Sequence, residues 1–210
     1  MDIFFIIALI VTSIIAVTFI VERGLALRWQ KVIPMAVEGA VRHYRSGEDL
    51  PRLRSICEHH ASPLSRLLIF AVDHLDWPKT ETVNVLETRA RHEVVKLERG
   101  LVVLEIIVGI SPLLGLVGTI YGLIILFGSM NQGGSAETAG FAAGISLALR
   151  ATLLGLLIAI PSLVAWSYYS KKVENLTIEM ETLCDEFLRK HYGATDSPEV
   201  TPKLVPQTFK

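Results

Sequence analysis

Residues 3–21 run for nineteen positions without a charged side chain. At about 1.5 Å per residue, a helix of that length reaches roughly the 30 Å of a hydrocarbon core. Two more apolar stretches, 106–128 and 139–169, are also long enough to cross, and the third carries a single charge, Arg150. Three such runs leave little room for a water-soluble fold. A cleaved leader is the competing reading of the first run, but the chain starts Met-Asp with no basic residues before the apolar stretch, so the run is expected to be retained. The composition agrees, with 51% apolar and only 20% charged residues.

Orientation follows from where the short flanks keep Lys and Arg. Arg23, Arg28 and Lys31 follow the first span, Arg89, Arg91, Lys96 and Arg99 precede the second, and Lys171 and Lys172 follow the third. The segment joining the second and third spans has no basic residue. The expected fold is therefore an all-α membrane protein with three transmembrane helices, N-terminus out and C-terminus in, and long cytoplasmic helical extensions. The expected division is 1–22 (first span), 23–100 (cytoplasmic helical region), 101–129 (second span), 130–138 (periplasmic loop), 139–170 (third span), 171–192 (cytoplasmic helix) and 193–210 (disordered tail).

Within 23–100, Pro34, Ser46-Gly47, Pro51, Ser62-Pro63 and Trp77-Pro78 break amphipathic patterns, and Ser62-Pro63 reads as an N-cap followed by a first-turn proline. Val83, Leu86, Ala90, Val94, Leu97 and Leu101 recur at helical spacing, broken by nothing except Gly100, which predicts a helix running straight into the second span. Leu176, Met180, Leu183 and Phe187 continue the third span inward to about His191. The second and third helices then outrun the bilayer and form a cytoplasmic bundle. Pro198, Pro202 and Pro206 among polar residues mark the tail as disordered.

Net charge is −1, so a nucleic-acid backbone finds no excess of cations here. Cys57 and Cys184 fall in segments placed in the reducing cytoplasm and read as packing residues. Cys57, His59 and His60 have no accompanying cluster and the two histidines lie on different helix faces, so no metal site is expected. Glu105 falls near the inner interface. No cofactor and no catalytic constellation are indicated, and no enzymatic activity is expected.

The functional signal lies in small and hydroxylated residues at four-residue spacing. The second span carries Ser111, Gly115 and Thr119 beside Gly118 and Gly122; the third carries Gly140, Gly144, Ala148 and Thr152 beside Ala151, Gly155 and Ala159. Such stripes let helix backbones approach where no hydrophobic effect drives association, and on their own they do no more than pack one hairpin. Thr119 and Thr152 lie near one level of two antiparallel helices. Each either lines a path or bonds its own helix one turn back.

The run 110–122, Ile-Ser-Pro-Leu-Leu-Gly-Leu-Val-Gly-Thr-Ile-Tyr-Gly, resembles the second-helix signature of the MotA/TolQ/ExbB proton channel family, closest to its TolQ/ExbB branch. The run 144–156, with the Ala-Ile-Pro at 159–161, is similar to the third-helix signature. The resemblance covers about residues 1–190 and implies a homo-oligomer, most often a pentamer, in a bacterial inner membrane. Its pore would hold a single-span ExbD/TolR/MotB-like partner that supplies a membrane Asp, and ion flow would drive work outside the membrane. Thr119 and Thr152 fall on the pore-lining threonine positions. Pro112, Gly115, Gly118, Gly122, Gly144 and Gly155 fall to helix packing.

One departure matters. The branch carries a glutamate five residues before the third-helix threonine, where this chain has Leu147, followed by Arg150. Leu147 and Arg150 are about 60° apart on a helix, so the arginine is a candidate for the same pathway, paired with a partner's carboxylate; the alternative is an arginine snorkelling to the outer interface. The pathway set is thus Thr119, Thr152, Arg150, Leu147 and Ser111. The function implied is that of a stator-like subunit of an ion-driven motor, carrying protons or sodium. The rival reading is a non-conducting scaffold of the same family.

Overall fold

The computed structural model describes residues 2–130 and 137–195. Among them there are helices and no strand: α1 (Asp2–Ala26), α2 (Trp29–Val32), α3 (Met35–His43), α4 (Leu50–His59), α5 (Pro63–Asp73), α6 (Lys79–Glu98), α7 (Leu101–Met130) and α8 (Glu137–Thr195), with one 3₁₀ turn at Gly47–Asp49. Phe5–Ala26, Leu101–Gly128 and a stretch of α8 that starts at Gly144 are long and apolar enough to cross a membrane. The chain is an all-α, multi-pass membrane protein. Most of the expected loop 130–138 and tail 193–210 lies outside the described residues, as does the side chain of Leu147. Helix α8 extends to Thr195, three residues past the predicted end at 192.

The chain forms two compact units. The first, Met1–Lys31 with His92–Thr177, holds the three apolar spans. Helix α1 packs along α7. It buries Leu9 and Ala16 and leaves Ile7, Ile10, Ile14 and Val17 exposed, an apolar surface that only lipid or another apolar helix suits.

Helices α7 and α8 form an antiparallel pair whose seam is set by residues with almost no side chain. Gly122 meets Ala148, Gly118 meets Ala151, Gly115 meets Ala151 and Thr152, and Gly155 meets Ser111 and Gly115. A Cβ added to Gly155 would stand 2.6 Å from the Ser111 carbonyl oxygen, and one on Gly115 would stand 3.0 Å from that of Ala151. The obstacle is backbone in both cases, so no rotamer change relieves it. Pro112 and Pro161 sit inside α7 and α8. Each lacks an N–H and so frees one carbonyl a turn earlier, a loss that neighbouring helices and hydroxyls absorb in membrane helices.

At the other end of the spans α1 is pinned twice. The Tyr169 hydroxyl donates to the Ile20 carbonyl at 2.9 Å, and Gly24 leaves room for that ring, since a Cβ there would come 2.9 Å from the hydroxyl oxygen. Arg23 Nη1 donates to the Leu97 carbonyl at 3.2 Å. This corrects the expected unbroken passage from α6 into the second span. Helix α6 stops at Glu98, and Arg99 and Gly100 form a turn before α7 begins. The Arg23 guanidinium fills the space where a Gly100 side chain would be, and it takes the carbonyl that a continuous helix offers to Leu101.

The second unit, Val32–Arg91 with Ile178–Lys210, is a helical bundle whose described part buries Val37, Val41, Leu53, Leu68, Met180 and Leu183. Ser62 caps α5 by accepting from the Ser65 N–H, as the Ser-Pro pair predicts. Lys190 Nζ donates to the last carbonyls of α3, Val41 at 3.1 Å and Arg42 at 2.7 Å, a cation set against the negative end of a helix. Cys57 and Cys184 are both buried and unbridged. Burial pushes the Cys57 thiol up to about 11 and, with Cys57 and Glu181 nearby, the Cys184 thiol up to about 12, so neither forms a reactive thiolate at neutral pH.

Tyr44 ties α3 to the end of α8. Its ring meets Phe187 edge-on, with centroids 5.0 Å apart, and its hydroxyl lies 2.8 Å from His191 Nδ1. An O–H donor to Nδ1 requires the neutral imidazole, and burial holds His191 below its ordinary value. A group whose folded pKa is depressed lends stability above its unfolded pKa, about 6.5, and that stability is lost as pH falls through the folded value. The melting temperature of the detergent-solubilised protein is expected to fall between pH 7.5 and 5. His191→Gln should flatten that part of the profile, and an unchanged slope would remove His191 from the account.

Candidate functional site

Of the hydroxyls singled out in the sequence, Ser111 and Thr152 lie in the α7–α8 seam. Thr152 Oγ1 donates across the seam to the Gly115 carbonyl at 3.5 Å, a long contact. It can do so because Gly115 lets α8 approach to the point where a Cβ would stand 3.1 Å from the Thr152 Cα. Thr119, one turn along α7, is half-exposed and donates to its own helix, to the Leu116 carbonyl at 2.6 Å. Ser111 is fully buried and its hydroxyl has no hydrogen-bond partner among the described residues. An orphaned hydroxyl in an apolar seam is costly unless a water or another mobile partner reaches it.

Thr119 shares the ordinary behaviour of a membrane-helix hydroxyl with Ser162, which donates to the Ile158 carbonyl at 2.7 Å. Thr152 instead spends its proton on a neighbouring helix, and Ser111 has its own to offer. Together with Thr119 they set a short ladder of hydroxyls among leucines, isoleucines and glycines. Such a ladder can orient water or a protonatable group without holding an ion tightly.

Arg150 stands elsewhere. Two residues at about 100° each separate it from Thr152 by about 200°, so the two side chains leave opposite sides of α8. Arg150 instead borders a cavity shared with Phe5 and Leu9 of α1 and with Gly118 and Tyr121 of α7. Glu105, the only acidic residue of α7, is exposed. His59 and His60 donate through Nδ1 to the Ser55 and Ile56 carbonyls, at 2.9 Å and 3.1 Å, which fixes both rings against their own helix.

Sequence reasoning missed Glu93. Its position among Glu, Arg and Lys reads as a solvated face, yet the carboxylate is wholly buried and 2.8 Å from Lys96 Nζ. The lysine three residues on was the available signal.

Comparison with known proteins adds a direct result. The family model described as the MotA/TolQ/ExbB proton channel family matches residues 59–182. The TolQ protein of the Tol-Pal system of Pseudomonas aeruginosa is 31% identical over 193 residues, 85% of this chain and 82% of that protein. An ExbB-like biopolymer transport protein of Synechocystis is 35% identical over 167 residues, 75% of this chain and 63% of its own length. The biopolymer transport protein ExbB of Helicobacter pylori is 37% identical over 81 residues, 39% of this chain. The matches span less than two thirds of the Synechocystis and Helicobacter proteins, at 63% and 56%.

Proposed function

The chain belongs to the MotA/TolQ/ExbB proton channel family, and from that premise we propose that it is the ion-conducting subunit of an inner-membrane motor. The observation that carries this reading is the hydroxyl ladder: Thr152 bonded across the seam, Thr119 one turn away and Ser111 buried with a free hydroxyl. Several copies, most simply five, surround a single-span ExbD/TolR/MotB-like partner. The small-residue seam and the wide apolar faces of α1, α7 and α8 suit such an assembly. The N-terminus lies on the periplasmic side and the basic flanks on the cytoplasmic side.

The mechanism gives this chain a passive chemical role. Residues 5–21, 101–128 and 144–169 hold no Asp, and their one Glu is the exposed Glu105, so the group that takes and releases the proton, an Asp, is brought by the partner. The threonine hydroxyls donate to and accept from water beside that carboxylate, and the apolar wall keeps it from ionising at every angle. The partner is thereby neutral while it passes leucines and charged only where hydroxyls and water meet it. Sodium is served by the same oxygens.

Leu147, in place of the branch's glutamate, favours a second reading, a scaffold that assembles the partner without conducting. Reconstitution separates the two. Vesicles containing the chain together with its partner, loaded with a pH-sensitive dye and given an inward proton gradient, should acidify faster than vesicles with either protein alone. An intact complex that passes neither protons nor sodium would leave the scaffold reading.

A further inference from the structure

Arg150 is the single charged side chain within 139–169, and among the described residues nothing is bonded to its guanidinium. It borders a cavity of about 160 Å³ whose walls include Phe5, Leu9, Gly118, Tyr121 and Leu154. The walls are apolar, and Gly118 and Ala151 keep the space open by having almost no side chain. The rings of Phe5 and Tyr121 meet at its edge with centroids 5.6 Å apart.

The level of this cavity in the bilayer follows from counting. Tyr169, bonded to Ile20, marks one interface; Arg150 lies nineteen residues earlier on the same helix, about 28 Å away. Tyr121 lies twenty residues beyond Leu101, the first residue of α7, or about 30 Å. Both distances match one hydrocarbon thickness. Counted from the other end, Tyr121 stands seven residues before Gly128 and Arg150 six after Gly144, about 10 Å inside the apolar limits, a depth from which a snorkelling guanidinium extends toward the phosphates of the leaflet opposite Tyr169.

We propose that this cavity seats one acyl chain of a phospholipid whose phosphodiester is gripped by Arg150. A guanidinium presents a planar fork that matches two phosphate oxygens, and pairing there relieves a lone cation at an apolar wall. The adjoining face of α1, with Ile7, Ile10 and Ile14 exposed, gives the lipid an apolar surface to continue along. The site lies on the side of α8 away from Thr152, so it does not depend on the threonines conducting.

Native mass spectrometry of the full-length protein in detergent tests this, with equal amounts of dioleoyl-phosphatidylglycerol and dioleoylglycerol supplied. The wild type should retain the phospholipid at least tenfold over the phosphate-free lipid. Arg150→Leu should lower that retention about tenfold, with Arg150→Lys intermediate. Ile6→Trp, which fills the cavity from an exposed position at its border, should lower it while leaving the arginine in place. Wild-type retention in either Arg150→Leu or Ile6→Trp, or equal retention of both lipids, would overturn the site. Loss of the lipid when the single-span partner is added would assign the arginine to a carboxylate of that chain and overturn it as well.

Discussion

Valine at Gly155 should take apart the membrane pair α7–α8. The added Cβ meets the Ser111 carbonyl at 2.6 Å and the Gly115 Cα at 3.1 Å, and neither atom can move without its helix. Overpacking of a tight seam costs about 1–3 kcal/mol when side chains can yield, and here they cannot, so the upper end or more is expected. The measurement is thermal unfolding in detergent together with the size of the eluting species: a melting temperature many degrees lower and loss of the oligomer. Gly109→Ala is the control, because nothing lies within 4 Å of a Cβ at that position on α7, the other helix of the pair. A Gly155→Val protein that melts and assembles like the wild type would mean that the seam is looser than its geometry.

Valine at both Thr119 and Thr152 should leave the assembly intact and remove its ion-driven output. The change keeps the branched shape and deletes two hydroxyls, one of them the 3.5 Å contact across the seam. Hydrogen bonds between membrane helices average only about 0.6 kcal/mol, so stability should fall little. The path loses two of its three hydroxyls, and coupled proton flux should drop at least tenfold. Thr152→Ser, which restores an oxygen, should recover much of the loss. If the double variant conducts normally, the hydroxyls are packing groups and the path runs elsewhere.

How much of this was legible in the sequence depends on the range of the interaction concerned. The three spans, the α5 cap at Ser62 and the small-residue stripes that meet between α7 and α8 follow from periodicity within a helix, whereas the individual partners of Gly115, Gly118 and Gly155 came only with the structure. The halt of α6 at Glu98 was readable only as far as Gly100, the one break in the pattern; the bond from Arg23 to the Leu97 carbonyl, 74 residues apart in sequence, was not. Glu93 failed for a related reason: charge patterning assumes that a polar stripe faces water, and tertiary packing overrode it. Arg150 is a different case. Its 60° step from Leu147 and its 200° step from Thr152 were both readable, while the cavity it borders was not, because Phe5, Ile6 and Leu9 are far away in the sequence.

The double pinning of α1 gives its two ends unequal freedom. Ile20 and Arg23 are held by directional bonds to Tyr169 and Leu97. Toward the other end the described contact is aromatic, the rings of Phe5 and Tyr121 meeting with centroids 5.6 Å apart. A bilayer thicker or thinner than the spans must be accommodated by tilting or sliding, at a fraction of a kcal/mol per Å. The bonded end resists that adjustment, so α1 behaves as a cantilever, clamped at Tyr169 and compliant at Phe5. Changes in membrane thickness are then registered mainly toward the end away from Tyr169, and the clamped end keeps its alignment while the lipid around it varies.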